Sequence, residues 1–223
     1  MMKRYTVFFA WMGSVLVPLA VIMLSARLLM TPVFLEIEYR LPGFPQDNYG
    51  FSQQDRLQWA KPSVEYLINA AGIEYLADLK FADGQPIYNE RELSHMADVK
   101  VVVQKLLWLW FVDLALLALL GIWSWRTAWL QDYVAGLRRG GFLTVGLLLA
   151  LASFASISFW QFFTWFHSLF FSGDSWLFLL SDTLIRLFPI RFWQDAVIFI
   201  VGFSIIIGLL MGILLKTETE AKA

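Results

Sequence analysis

The 223-residue chain has no cysteine, only two histidines, and a charged fraction of just 16%. Without cysteine there can be no disulfide, no thiolate nucleophile and no cysteine-based metal site, and the redox compartment is left open. Lysine and arginine number 17 against 18 acids, a formal net charge of −1. No basic face exists to release counterions from phosphate, so nucleic acid is not an expected partner. A P-loop, a dinucleotide fingerprint and an HExxH zinc pattern are also missing. The Gly173, Asp174, Ser175 run resembles the nucleophile block of GDS-type esterases, but no histidine follows it in the chain, which argues against a serine triad of that kind.

What the chain has instead is apolar sequence. The hydrophobic set makes up 59% of residues and falls in blocks rather than at amphipathic spacing. Four blocks approach the roughly 20 residues needed to cross a bilayer, at 7–30, 106–125, 142–163 and 195–215. Each is expected to be a helix, because in lipid a helix satisfies its own backbone. The first block follows Lys3 and Arg4 but is too long for a signal peptide and reads as a retained anchor. Lys3, Arg4, Arg126, Arg138, Arg139 and Lys216 fall on one side if both termini are cytoplasmic. That orientation puts the segments 31–105 and 167–193 outside the cytoplasm, with Arg186 and Arg191 as exceptions to the charge bias. Gly208 and Gly212 form a GxxxG pair whose simplest use is close packing within the bundle.

The expected fold is therefore mainly α: a four-helix transmembrane bundle with a small mixed α/β extracytoplasmic cap. Its divisions are 1–30 as the first transmembrane helix, 31–105 as the cap and a lead-in helix, and 106–223 as three further transmembrane helices with an outer interfacial loop at 167–193. Within the cap, Val33, Leu35, Ile37 and Tyr39 alternate with polar positions, the period of a strand. Ser52 with Asp55 marks a helix start, Asp83 and Gly84 mark a turn, and Asn89 with Glu92 forms a capping box from which a helix runs through His95 into the second span. Asp182 is placed to cap a short helix carrying Leu184, Ile185, Leu187 and Phe188, with its apolar face in lipid.

Each histidine lies near the outer end of a span, and imidazole is the side chain best suited to exchange protons near neutral pH. Arg91, Glu92 and Asp98 share a helical face with His95. His167 heads a stripe of Phe163, Trp160, Ser156 and Ser153, which reads as packing surface or as an acyl-chain groove. Asp113 lies mid-span, where a carboxylate is expensive. At 1.5 Å per residue it stands about 27 Å from His95 and cannot touch it, so a bundle-facing structural role is expected. The residues alone leave three alternatives open: a lipid-acyl enzyme using the histidines, a non-enzymatic assembly factor whose outer domain binds a partner, and a transporter coupled through Asp113. Against the transporter stand the lack of internal repeats and of further mid-span charges.

Two blocks narrow this choice: YNERELSHMADVK at 88–100 and FHSLFFSGDSWLFLLSDTLIRLFPIRFW at 166–193. In these blocks, and in length and topology, the chain resembles the bacterial lipoprotein intramolecular transacylases, small four-span membrane proteins. That resemblance implies transfer of the sn-2 acyl chain of a diacylglyceryl-modified lipoprotein to the α-amino group of its N-terminal cysteine, giving a lyso-form lipoprotein. It implies His95 and His167 as the catalytic pair; Arg91, Glu92 and Asp98 on the helical face of His95, and Asp174 and Arg186 in the outer loop, are expected as supporting or substrate-positioning residues. No metal and no cofactor are implied. The implied partners are the lipoprotein and membrane lipid, and the implied location is the cytoplasmic membrane with the active site at the extracytoplasmic face. Where the family pattern carries an Asp-Pro step after Trp176, Leu177 and Phe178, this chain has Leu179 and Leu180, a departure that bears on the local turn.

Overall fold

The structure, a computed structural model, describes residues 2–215; Lys216 lies outside them. Among these residues there are nine helices: α1 (Met2–Leu29), α2 (Pro32–Glu38), α3 (Gln53–Ile68), α4 (Glu74–Ala77), α5 (Glu90–Arg126), α6 (Leu130–Ile157), α7 (Phe159–Phe170), α8 (Thr183–Leu187) and α9 (Ile190–Leu214). Four of them, α1, α5, α6 and α9, are long and apolar enough to cross a membrane, and the protein is a multi-pass membrane protein. The chain divides into two compact units. One gathers Leu107–Ile157 with the segments before Arg27 and from Phe199 onward; the other joins Arg27–Leu106 to Ser158–Ile198.

The first unit buries a set of small polar residues beside a core of Leu120, Trp129, Tyr133 and Leu148, and leaves many large apolar residues exposed. Ser14, Ser25, Ser124, Thr144 and Ser204 are almost wholly buried, whereas Trp108, Phe111 and Leu119 are exposed. This is the pattern expected where the surroundings are as apolar as leucine, so that close backbone approach and hydrogen bonds hold helices together. Ser14 Oγ donates to the Gly136 carbonyl at 2.8 Å, the Ser25 and Ser204 hydroxyls pair at 2.7 Å, and Trp110 Nε1 donates to the Ala20 carbonyl at 3.0 Å. A methyl group at Gly208 would sit 2.7 Å from the carbonyl oxygen of Gly141. The GxxxG pair thus serves contact between α6 and α9 within the chain. Asp113 is buried in this unit, and neither carboxylate oxygen has a hydrogen-bond partner among the described residues.

The second unit contains no β-strand among the described residues, which corrects the expected mixed α/β cap to an all-helical one. Residues 33–39, whose alternation suggested a strand, belong largely to α2. Thr31 caps that helix by accepting the Phe34 N–H, and Pro32 occupies its first turn, where its fixed φ and missing N–H cost nothing. The helix buries Phe34, Leu35 and Glu38 at helical spacing and leaves Val33 and Ile37 exposed. The period-two pattern was coincident with a half-buried helix, and the cap and proline decided the outcome. One isolated bridge, Lys80 to Pro86, closes the turn at Asp83 and Gly84, where Gly84 adopts φ +86°.

Other start signals are realised as written. Ser52 and Asp55 form a reciprocal capping box at α3, and Asn89 and Glu92 do the same at α5, with the Asn89 N–H donating to Glu92 Oε2 at 2.8 Å and the Glu92 N–H to Asn89 Oδ1 at 3.0 Å. The third span differs from its expected 142–163: α6 ends at Ile157, and Ser158 adopts an extended conformation and caps α7 by accepting the Gln161 N–H. Serine hydroxyls competing with the helix for backbone groups explain the break. The short helix α8 also departs from expectation, because Leu184 and Leu187 are 6% and 0% exposed and pack into protein rather than lipid. Tyr39 Oη donates to the Leu187 carbonyl at 2.9 Å and ties α8 to the chain just beyond α2. Arg186, on the same helix, pairs with Asp47 at 2.9 Å and lies over the Phe51 ring. Burial opposes the charge of Asp47, but the Arg186 hydrogen bonds outweigh it and hold the carboxyl below its ordinary range.

Glu38 is buried beside Asp195, which also pairs with Arg191 at 2.5 Å. Burial first, and the neighbouring Asp195 charge second, push the Glu38 carboxyl up to about 7. A folded-state value raised above the unfolded one contributes stability that is present below the ordinary glutamate value and is lost as pH rises toward 7. Between pH 5 and pH 7.5 Glu38 therefore lowers the melting temperature of the purified protein, against the rise contributed by the buried histidines. The melting temperature of Glu38→Gln, which cannot ionise, should gain on that of the parent as pH rises through the interval. Equal pH dependence in the two proteins would show that Glu38 does not titrate in the fold.

Candidate active site

The site is built from the first turns of α5, from α7, and from the loop that joins α7 to α8. Glu92 is 1% exposed, and besides capping α5 it accepts the Leu184 N–H at 2.6 Å through Oε1. One carboxylate thus satisfies backbone donors at the start of two helices, a charge-assisted use of otherwise orphan groups. Thr183 Oγ1 reinforces the junction by donating to the Ile87 carbonyl at 2.5 Å. Asp182 forms no side-chain cap on α8; it accepts the Leu179 N–H at 2.8 Å and an Asn89 amide N–H at 3.2 Å instead.

His95 lies one turn beyond Arg91 on α5, and His167 lies near the end of α7. The structure brings them together: the ring centroids are 6.4 Å apart with planes 22° from parallel. Both residues are only 8% exposed. Phe171 packs against both imidazoles, at 5.0 Å from His95 and 5.9 Å from His167. Phe178 meets His95 edge-on at 5.3 Å, while Phe163 and Trp176 cover His167 at 4.1 and 4.7 Å.

The two imidazoles are not equivalent. His167 Nδ1 lies 2.8 Å from the Phe163 carbonyl oxygen. A carbonyl only accepts, so Nδ1 carries the proton and the lone pair of the neutral ring is on Nε2. Burial in the aromatic cage lowers the His167 pKa from its ordinary value, with the Phe163 hydrogen bond opposing in part. The ring is thereby kept neutral and able to accept a proton at pH 7. His95 Nδ1 is buried without a hydrogen-bond partner among the described residues.

Other expected site residues are distributed unevenly. Arg91 donates through Nη2 to the Asp174 carbonyl at 2.5 Å, with its carboxylate 3.5 Å away. Both residues line a cleft of about 460 Å³ with Asn89, Leu177, Phe178, Leu179 and Asp182. Phe178 belongs to the cleft and to the histidine cage alike. Asp98 is exposed and makes no hydrogen bond or ion pair among the described residues, and Arg186 is committed to Asp47. The stripe below His167 is interrupted: Phe163 contacts the imidazole, but Ser153 and Ser156 belong to α6, beyond the break at Ser158. Trp176, Phe171 and Phe178 were not singled out from sequence. In a chain that is 17% aromatic, nothing in their spacing separates cage residues from ordinary packing.

Comparison with known proteins identifies the fold and the family. An uncharacterized protein of Aquifex aeolicus (strain VF5) is 32% identical over 202 residues, covering 89% of this chain and 90% of its own. The in meso structure of the membrane integral lipoprotein intramolecular transacylase Lit from Bacillus cereus superposes with a TM-score of 0.64 at 18% identity, over 96% of this chain and 94% of that one. A variant of the same protein with a histidine replaced by arginine gives a TM-score of 0.62 at 18% identity, over 96% and 90%. At that identity the likeness establishes a shared fold. The family description lipoprotein intramolecular transacylase Lit matches residues 11–193, and on that match the chain belongs to the lipoprotein intramolecular transacylase family.

Proposed function

We propose that this chain transfers the sn-2 acyl group of a diacylglyceryl-modified lipoprotein to the α-amino group of its N-terminal cysteine, with His95 and His167 as the catalytic pair. Membership of the family supplies the reaction class, intramolecular acyl transfer in lipoprotein maturation. The observation that carries the reading is the meeting of the chain's two histidines, face to face, in one apolar cage. Ester and amine belong to one substrate, so the protein needs no nucleophile of its own. It has to orient the two groups, move a proton and stabilise negative charge on oxygen.

The tautomer supports His167 as the base. With Nδ1–H tied to the Phe163 carbonyl, Nε2 accepts the proton of the attacking amine. The new C–N bond forms as the carbonyl π pair moves to oxygen. When the carbonyl re-forms, the bond to the glycerol oxygen breaks and His167 returns the proton to that oxygen. No water is consumed, and exclusion of water by the Phe and Trp rings keeps the ester from hydrolysis. His95, facing the same space, donates an N–H to the oxyanion. Glu92 acts as a positioning residue that fixes the start of α5 relative to α8. Arg91 and Asp174 border the cleft through which the peptide leaves, Asp98 contributes charge at the approach, and the Arg186–Asp47 pair holds the surrounding loops.

The cytoplasmic membrane is the proposed location, with both termini cytoplasmic and the histidines at the extracytoplasmic face. The distribution of Arg126, Arg138 and Arg139 near the loop between α5 and α6 supports it.

Three outcomes check these readings. Mass spectrometry of the N-terminal lipopeptide of a coexpressed reporter lipoprotein should show one acyl chain moved from glycerol to the α-amine with the parent protein, and transfer reduced about 10²–10⁴-fold with His95→Ala or His167→Ala; full activity in both variants would remove the histidines from the mechanism. Because burial lowers the His167 pKa in the free protein, the acid limb of the kcat/KM profile, after correction for the ionisation of the substrate's α-amine, should have its midpoint below the ordinary imidazole value of about 6.5, and a corrected midpoint above it would contradict that role for His167. As the chain is free of cysteine, single-cysteine reporters report topology cleanly: Asp83→Cys should react with an impermeant maleimide in intact cells and Gln131→Cys only after lysis, and the reverse pattern would invert the orientation.

A further inference from the structure

Buried polar atoms in folded proteins are almost always hydrogen-bonded, and a buried donor with no acceptor is costly to maintain. Trp176 is 9% exposed, and its Nε1 is buried without an acceptor among the described residues. Its indole lies against the His167 imidazole, with centroids 4.7 Å apart, and meets Phe163 edge-on at 6.0 Å. His95 Nδ1, in the same cage, is a second buried polar atom without a partner. The surrounding side chains, Phe163, Phe166, Phe171 and Phe178, offer only carbon. Trp129 also has an unpartnered buried Nε1, but it packs against Trp123 and Tyr133, with no imidazole beside it.

The placement of Trp176 is specified by the residues around it. Its loop turns at Gly173, with φ +67°, and closes through the Leu177 N–H to the Asp174 carbonyl at 2.9 Å. Arg91, one turn before His95, grips that same carbonyl. The residue pair at the cleft therefore holds the indole beside the imidazoles, which gives Arg91 a use beyond its charge.

An ester entering the cage brings one carbonyl oxygen, an acceptor with two lone pairs that has just left water. We propose that the indole Nε1–H of Trp176 donates a hydrogen bond to the carbonyl oxygen of the scissile ester and, together with His95, forms the oxyanion site of the acyl transfer. This rests on the transacylase reading of the site. As the amine nitrogen bonds to the carbonyl carbon, the π pair localises on oxygen and the Trp176 hydrogen bond strengthens. It weakens again when the carbonyl re-forms, the glycerol C–O bond breaks and the amine proton passes through His167 to the glycerol oxygen. A neutral donor in an apolar enclosure stabilises the developing charge more than the ground-state carbonyl, so its effect belongs in kcat rather than KM.

The test replaces Trp176 with β-(3-benzothienyl)alanine, which keeps the bicyclic shape and lacks the N–H, and compares it with Trp176→Phe, His167→Ala and the parent in turnover of a synthetic diacylglyceryl lipopeptide. The isostere should lower kcat by about 10²–10³-fold, with KM within about threefold of the parent and its thermal melt unchanged. A phosphonate analogue of the tetrahedral intermediate should lose affinity for the isostere by a similar factor. If the isostere turns over within about threefold of the parent while His167→Ala is inactive, Trp176 is not an oxyanion donor and the transacylase reading stands. If the parent itself leaves the acyl chain on glycerol, the transacylase reading fails and the assignment of Trp176 with it.

Discussion

The carboxylate of Glu92 holds the parts of the site in register. It accepts the N–H of Asn89 at the start of α5 and the N–H of Leu184 at the start of α8, and it does so while 1% exposed. A buried carboxylate is tolerated only where its oxygens are satisfied. Here the satisfying groups are themselves orphan donors of helix termini, so each removes the cost of the other. His95 follows one turn later on the helix that Glu92 caps, and the loop carrying Trp176 and Phe178 ends at the helix that Glu92 receives. The relative position of imidazole and cage follows from that one group, with Thr183 to the Ile87 carbonyl as a second tie.

The apolar character of the cage is as consequential as the histidines within it. Aromatic rings around both imidazoles remove water, which keeps His167 neutral and raises the strength of any hydrogen bond made within the cage. The same rings offer an acyl ester an environment it prefers to water. A reaction whose donor and acceptor are already joined gains little from added binding area and much from a fixed, dry geometry. Such a site needs rigid supports more than many polar groups, and the contacts of Arg91, Asp182 and Thr183 are of that kind.

Legibility in the sequence differed by element. Capping boxes at Ser52 with Asp55 and at Asn89 with Glu92 were readable because each is a local pattern whose two halves lie within one turn. The segment 33–39 misled because its alternation fits a strand and a half-buried helix alike, and Thr31 and Pro32 carried the deciding information. The third span was misplaced because hydropathy runs on through Ser158, while a single serine cap is enough to end one helix and begin another. The apolar face of α8 was assigned to lipid because an apolar helix near an interface can be covered by lipid or by protein, and only the packing of Leu184 and Leu187 distinguishes the two.

By itself the sequence determined that the protein spans a membrane through several helices, since blocks of about 20 apolar residues have no other stable use, and that its histidines are the natural proton-transfer groups in a chain without cysteine. The tertiary structure decided that those histidines meet, that Trp176, Phe171 and Phe178 enclose them, and that Glu92 serves two helices rather than one. The division has a physical cause. Burial in lipid and helix capping act over one turn or one span and leave a mark in neighbouring residues, whereas an aromatic cage is assembled from separate segments whose members look like every other apolar residue until the chain is folded.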